Sequence, residues 1–547
     1  MQPLQSRLDP SSADFSTNAE AMEAYVGRVR AVLDKQAATE EAYRPRAEAK
    51  GKLLPGERLA RLLDPGAPFV ELCALAGFGM YDDGDGRYSG GKLIAGIGRI
   101  SGRRALVIVW NYAIKGGTID RVNVAKMLRL QDIALRQRLP IVSLHESGGG
   151  NLVSASAMAD PWMARIFTDA GVSYGQQAAL SAAGIPQITV SHGNATAGGA
   201  YQVALSDTVI LVRGQTQLFL AGPPLLEAGT GEKATAEELG GAEMHATVSG
   251  TGEYFAEDDA DAIRMARQVV SQLPPDPAVP PRRPIEPPRY SPDELLGAFP
   301  ADRKVPVDIR EIVARVVDGS RFDEFEPMVD AGTVCGTAYL GGHLVGIIGN
   351  NGPITPSGAN KACTFIATCE QWDAPILFLQ NTTGFLVGTD VERRGQVKHS
   401  AKLIQAVANT RLPKLTILVG NAYGAGNYAM GATALKPAFC FAWPSARQAA
   451  MGGAQARKVM EIVTRGKWAR KGIEPDDKAE GKLAQTGQMI EMGLEMISES
   501  MACSARLMDD GIIDPRDTRR VLLELLATVL EARERTPVTS SWGIQRY

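Results

Sequence analysis

A chain of 547 residues is too long for one ordinary hydrophobic core and calls for two domains or more. With 45% hydrophobic residues, 22% charged residues and a formal charge of −3, it has a globular composition and no cationic surplus to hold nucleic acid or an anionic membrane. The six cysteines form no C-x-x-C pair and the five histidines no metal-ligand spacing, so neither a disulfide frame nor a metal site is expected. The cysteines read instead as buried thiols of a reducing compartment, and a cytoplasmic location follows. The opening MQPLQSRLDPSSADF lacks the apolar centre of a signal peptide, and no apolar run reaches bilayer-spanning length.

In chain order, the first clear element is a hairpin around glycine in GRISGRRALVIVWN (Gly98–Asn111). A helix, a proline turn and a buried strand follow in KMLRLQDIALRQRLPIVSLHESGGGNL, from Lys126 through Pro140 to Leu152. Next, GIPQITVSHGNATAGGAYQVAL reads as proline, buried strand, glycine turn and a helix of small residues. Pro223-Pro224 suits a helix start, and Thr235 to Glu238 (TAEE) is a capping box with a purely structural role.

The strongest boundary is LPPDPAVPPRRPIEPPRYSPDE, Leu273–Glu294, whose prolines predict a stiff, extended connector. It separates an N-terminal domain over 1–272 from a C-terminal domain over 295–547.

Beyond it the same elements return. GTAYLGGHLVGIIGN is the second hairpin. Lys361 and Pro375 repeat Lys126 and Pro140 at a constant offset of 235 positions, with ILFLQN as the strand. In RLPKLTILVGNAYGAGNYAMGA, Pro413 leads Gly420 by the same seven positions that separate Pro186 from Gly193. Matched β-β-α units in one order predict a duplicated α/β chain. The last apolar run, VLLELLATVLEA, has helical spacing and reads as core or subunit contact.

The two glycine turns, GNATAGGAY and GNAYGAGNY, carry the chemistry. A strand ending in glycines and opening a helix turns unpaired backbone N–H groups outward, with the helix dipole behind them. Such a turn binds phosphate or stabilises an oxyanion. Neither turn has the G-x-x-x-x-G-K-[ST] loop, the dinucleotide fingerprint is missed because Gly431 arrives late, and no G-x-S-x-G elbow occurs. Tight helix–strand packing also selects glycine, but two matched turns in a duplicated chain favour a pair of oxyanion sites.

At this point the chain resembles the carboxyltransferase β subunits of biotin-dependent acyl-CoA carboxylases, most closely the methylcrotonyl-CoA and geranyl-CoA branch. The resemblance is carried, in order, by GKLLPGERLARLLDPGAPFVEL, IKGGT, AAGIPQITV, TAGGAY, FLAGPPLLEAGTGEKATAEELGGAEMH, FLQNTTGFLVG, VGNAYGAGNYAMGA, WPSARQAAMGG and DDGIIDPRDTR. It implies two tandem crotonase-like (ClpP/crotonase superfamily) β-β-α superhelical domains related by duplication. It implies transfer of CO2 from carboxybiotin to the enolate carbon of an acyl-CoA or enoyl-CoA.

The resemblance places the enolate oxygen on Gly198 and Gly199 and the biotin ureido oxygen on Ala425 and Gly426. It puts Gly148, Gly149, Ala221, Gly222, Pro223 and Tyr428 around the acyl-CoA, with Phe385, Gly424 and Asn427 at biotin. Packing in the core is the competing role for Tyr428.

No biotinyl-lysine AMKM-like sequence and no ATP-grasp-sized domain occur. The resemblance therefore implies a partner α subunit with biotin carboxylase and biotin carrier functions, which uses the ATP and bicarbonate, on a homohexameric β core. Biotin-dependent decarboxylase or transcarboxylase subunits keep the same fold. A crotonase-type hydratase or isomerase, or a non-catalytic scaffold, fits the doubled turns less well.

Departures from the family pattern are IDRVNV (Ile119–Val124), SGGGNLV (Ser147–Val153), MGGAQA with Ala454 at the glutamate position, the methionine-rich MIEMGLEMISES (Met489–Ser500), and MACSARLMDDG. They spare the turns and predict the same chemistry on a different acyl group.

Overall fold

The computed structural model describes residues 1–81, 83–150, 165–303, 305–536 and 543–544. The chain divides into two compact units: residues 30–279 with 526–547, and residues 1–29 with 280–525. The change at 279/280 falls inside the proline-rich connector, which runs without strand or α-helix. The termini do not follow the sequence halves. Residues 1–29 pack in the C-half unit and residues 526–547 in the N-half unit, because apolar helix faces settle where burial is available rather than where the chain is nearest.

The N-half sheet holds β1 (Val70–Glu71), β2 (Leu93–Ile100), β3 (Arg103–Trp110), β4 (Ile141–Ser147), β5 (Gln187–Thr196), β6 (Thr208–Val212), β7 (Gln217–Phe219) and β8 (Tyr254–Ala256). Their order is β1-β2-β3-β4-β5-β6-β8, with β7 beside the end of β5. β1, β2 and β3 are antiparallel neighbours, and β3 to β6 run parallel. Crossovers are made by α1 (Arg121–Gln137), α2 (Arg165–Ala182) and α3 (Gly198–Ala204), followed by α4 (Pro223–Thr230) and α5 (Asp259–Ser271).

The C-half sheet repeats this with β9 (Arg321–Phe325), β10 (Thr333–Leu340), β11 (His343–Asn350), β12 (Ile376–Thr382), β13 (Lys414–Tyr423), β14 (Phe439–Ala442) and β15 (Arg447–Ala449). Its order is β9-β10-β11-β12-β13-β14 with β15 beside β13, and the short strand Gln2–Pro3 adds to the β9 edge. Its helices are α6 (Pro356–Trp372), α7 (Gln396–Asn409), α8 (Gly424–Ala429), α9 (Gly453–Arg470), α10 (Asp477–Ser498) and α11 (Thr518–Glu534).

The duplication read from spacing holds to the residue. α1 and α6, and β4 and β12, keep the 235 offset at both ends, and β5 and β13 keep an offset of 227. Local chemistry repeats as well. Asp120 and Thr355 cap α1 and α6 by accepting from Asn123 N and Gly358 N. Both hairpins turn on two left-handed residues, Ser101-Gly102 and Gly341-Gly342, as the twist of a tight hairpin demands. The parallel strands read as unbroken apolar runs because both sheet faces are covered. The N-half core gathers Val107, Val142, Leu144, Val190 and Ile210 against Ile263 and Val270 of α5. The C-half core gathers Ile348, Phe365, Ile376, Phe378 and Leu403.

The capping box at Thr235 and the helix start at Pro223 form as read. α11 buries Val521, Leu522, Leu525, Leu526 and Val529, so the last apolar run is core. One expectation needs adjusting: the helices after the glycine turns have only 7 and 6 residues. A helix that short sums few peptide dipoles, so the local N–H groups do the work there. Among the described residues no helix is long and apolar enough to cross a membrane.

Candidate active site

Both turns are built the same way. β5 ends at Thr196, and Ala197 takes φ 51°, ψ −114° before α3 begins at Gly198. β13 ends at Tyr423, and Gly424 takes φ 57° at the start of α8. In each case a left-handed residue reverses the chain. Among the described residues the amide N–H groups of Gly198, Gly199, Ala425 and Gly426 meet no protein acceptor. Each turn thus presents two adjacent donors.

The strand next door supports each turn. Pairing slips by a bulge after His145 in β4 and after Gln380 in β12, placing Ser147 opposite Ala195 and Thr382 opposite Ala422. Gly149 N donates to Ser147 Oγ at 3.3 Å, and Gly384 N donates to Thr382 Oγ1 at 3.2 Å. Gly149 and Gly384 are both left-handed, at φ 84° and 110°. Their carbonyls accept from Ile119 N at 2.8 Å and Ile354 N at 2.9 Å. Gly148 N donates to Gly116 O at 2.9 Å. A Cβ on Gly426 would lie 2.7 Å from Gly384 Cα, so this glycine is required by backbone meeting backbone. At Gly199 the neighbours would be the Ser147 and His145 side chains, at 3.2–3.4 Å.

Beneath the turns sit two buried polar side chains that the sequence reading passed over. His145 is 1% exposed and packs on Trp110 with ring centroids 4.5 Å apart. Burial pushes its pKa down to about 3, so it is neutral at working pH. Gln380 occupies the matching place and approaches Gly426 O at 3.5 Å.

A second omission is a buried ion network in the N half. Arg58, fully buried, pairs with Glu146 at 3.0 Å and with Asp259 at 2.9 Å. Lys52 also reaches Glu146, at 2.5 Å, and His192 donates Nδ1–H to Asp259 at 2.7 Å. Burial lowers the His192 pKa; burial also opposes ionisation of Asp259, but its hydrogen bonds from His192 and Leu53 N and the Arg58 guanidinium outweigh it and hold its pKa well below the usual carboxylate range. In the C half, neutral Asn381 stands where Glu146 does and accepts from Asn421 N at 3.0 Å. These partners lie far apart in sequence, and no spacing pattern announces them.

Ala221, Gly222 and Pro223 lie between β7 and α4, with Gly222 as the N-cap and Pro223 in the first turn. β7 abuts the N-half turn, since Ala197 N donates to Phe219 O at 3.1 Å. α4 buries no residue, and Leu225 is 65% exposed. Around the C-half turn, Tyr428 is 45% exposed, which removes core packing as its role. Phe385 is partly buried against the C-half core, and Asn427 is partly exposed. Met489, Met492 and Met496 of α10 are exposed, so they fill no gap in the core. Of SGGGNLV, Asn151–Val153 lie outside the described residues. None of the six cysteines forms a disulfide, and the described residues hold no cluster that could bind a metal ion.

Comparison with known proteins fits this architecture. The carboxyl transferase domain family matches residues 46–541. The chain belongs to this family. A probable biotin-dependent acyl-coenzyme A carboxylase beta2 subunit of Mycobacterium tuberculosis is 40% identical over 99% of this chain and 100% of that protein. A probable mitochondrial methylcrotonoyl-CoA carboxylase beta chain of Drosophila melanogaster is 41% identical, covering 97% and 94%. Among solved structures, the P. aeruginosa geranyl-CoA carboxylase beta subunit superposes with a TM-score of 0.91 at 50% identity over the full length of both chains. The duplicated sheets are thus the two crotonase-like domains of a carboxyltransferase β subunit.

Proposed function

We infer that this chain is the carboxyltransferase subunit of a biotin-dependent acyl-CoA carboxylase, with one glycine turn for each of two anionic oxygens. The observation that carries this reading is the pair of unmet amide donors at Gly198/Gly199 and again, 227 positions on, at Ala425/Gly426. Family membership gives the chemistry that two such sites serve.

In this reading the N-half donors hold the thioester oxygen as it gains charge. Two backbone donors fixed before reaction cost no reorganisation, and losing one typically costs about 2.7–4 kcal/mol of transition-state stabilisation. Ala221, Gly222 and Pro223, at the half-buried start of α4, border the acyl-CoA. Gly148 and Gly149 shape the strand end behind the turn. The C-half donors suit a ureido oxygen: Ala425 is exposed and its N–H unmet, so a planar urea edge has open access. Biotin, when bound, supplies both the carboxyl group and the base. The chain's own residues orient and polarise. That division accounts for the neutral His145 and the ion-paired Glu146 and Asp259, none of which is placed as a free base. Gly424 forms the bend that presents the two donors, while Phe385, Asn427 and Tyr428 border the ligands.

We assign the biotin to a partner α subunit, which also uses ATP and bicarbonate, and the β chain to a homohexameric core. Cysteines that form no disulfide, five of the six buried, support a cytoplasmic location. The departures from the methylcrotonyl pattern point to a different acyl group, with the exposed methionines of α10 as adaptable contacts.

The deciding experiment is ATP-dependent fixation of labelled bicarbonate, with the α subunit co-purified, across short, branched and terpenoid acyl-CoAs. Label in one ester is expected and names the substrate class. No label in any ester, with the α subunit demonstrably biotinylated, overturns the carboxylase reading. Fastest turnover on methylcrotonyl-CoA overturns the change of acyl group.

A further inference from the structure

The two turns differ at the first of their two donors. Ala425 carries a methyl group, while its counterpart is Gly198. A Cβ on Gly198 would overlap the hydroxyl oxygen of Tyr174, with Ile119 Cδ1 next at 3.7 Å. Tyr174 lies on α2, and the residue in its register on α7, 227 positions on, is Ala401. The two halves therefore differ: a tyrosine hydroxyl lies against glycine in one, while both register positions are alanine in the other. Glycine at 198 makes room for an oxygen.

That hydroxyl has no assigned partner. Among the described residues Tyr174 Oη makes no hydrogen bond. Its ring is held edge-on against Tyr201, with centroids 5.8 Å apart, and the side chain is partly buried. A phenol O–H without a protein acceptor, fixed by a ring contact beside two unmet backbone donors, is a third donor facing the same space. Burial and the neighbouring Tyr201 raise the Tyr174 pKa, which keeps the proton on the oxygen.

We propose that Tyr174 is a catalytic residue that donates its hydroxyl to the acyl-CoA thioester oxygen, completing with Gly198 and Gly199 a three-donor oxyanion site that the C-half turn lacks. This rests on the N-half turn being the thioester site. The donor stays protonated throughout, and no bond to oxygen forms or breaks.

The test uses the assembled enzyme. Tyr174→Phe keeps the ring against Tyr201 and removes only the hydroxyl. The expected result is a fall in kcat of about ten- to a hundredfold with KM changed less than threefold, the size of a hydrogen bond to a charged oxygen. A binding readout separates this from packing. The unaltered enzyme should bind an acyl-CoA thioester more tightly than the carbonyl-free thioether, and Tyr174→Phe should reduce that preference at least threefold. Gly198→Ala should be costly in the unaltered chain and nearly silent on top of Tyr174→Phe, where the hydroxyl is gone. A variant that keeps kcat within twofold and the full thioester preference overturns the proposal. Absence of carbon fixation by the unaltered enzyme on every ester would instead strike the carboxylase reading, so the two failures are distinct.

Discussion

The N-half and C-half turns use one backbone plan with different supports. In the N half the bend is an alanine held at φ 51°, and the strand beside it carries Glu146 next to its last residue, locked by Arg58 and Lys52. In the C half the bend is a glycine, and Asn381 takes the place of Glu146 with one neutral hydrogen bond. The N half holds a strained bend with buried, paired ions; the C half relieves the strain with glycine and puts a neutral amide in the carboxylate's place. A duplicated fold thus keeps the path of the donors and the hydroxyl and glycine behind them, and lets the charges beneath them differ.

The comparison can be broken most directly at the ions. Arg58→Met takes the buried guanidinium from Asp259 and leaves Glu146 with Lys52 alone, and should destabilise the N-half unit by about 3–5 kcal/mol. Asn381→Ala in the C half should cost about 1–3 kcal/mol, an unmet backbone N–H. Thermal unfolding of the two variants checks the order, and equal losses would contradict the contrast.

Next come the glycines. Gly426→Ala sets a methyl against the Gly384 backbone and should lower carboxyl transfer by about 10²–10³-fold, the loss of one oxyanion donor. Gly199→Ala meets only side chains and should cost roughly tenfold. The two kcat values measured side by side test whether backbone or side chain is the tighter wall.

A third contrast is in pH. The C-half unit buries Asp509, whose pKa burial pushes up from 3.8 to about 7. Between those values the folded chain keeps a proton that the unfolded chain has released. This group's stabilisation is therefore full below about pH 4 and is lost as pH rises through about 7, by at most about 1.4 kcal/mol per pH unit. Asp259 in the N half has the opposite sign: its lowered pKa stabilises above 3.8, and that contribution is lost as pH falls. Asp509→Asn should therefore flatten the decline in melting temperature between about pH 4 and about pH 7. An unchanged slope would place the proton elsewhere.

The smallest effect is at the bends. Ala197→Gly should relieve left-handed strain and raise stability by about 1 kcal/mol, while Gly424→Ala should lower it by about as much. Denaturant midpoints of the two variants should move in opposite directions.

The sequence by itself determined the duplication, the hairpins, the connector and the two donor turns, because each rests on local periodicity and on glycines and prolines whose backbone limits are intrinsic. It also carried the family resemblance. Only the tertiary structure decided which residues stand under those turns. Arg58 meets Glu146 across 88 positions, and Tyr174 meets Gly198 from another helix. It also moved residues 1–29 and 526–547 into the units of the opposite halves. Nothing in a periodic pattern encodes such meetings: they are fixed when the sheets close and burial forces each charge to find its counter-ion and each glycine to accept what lies against it.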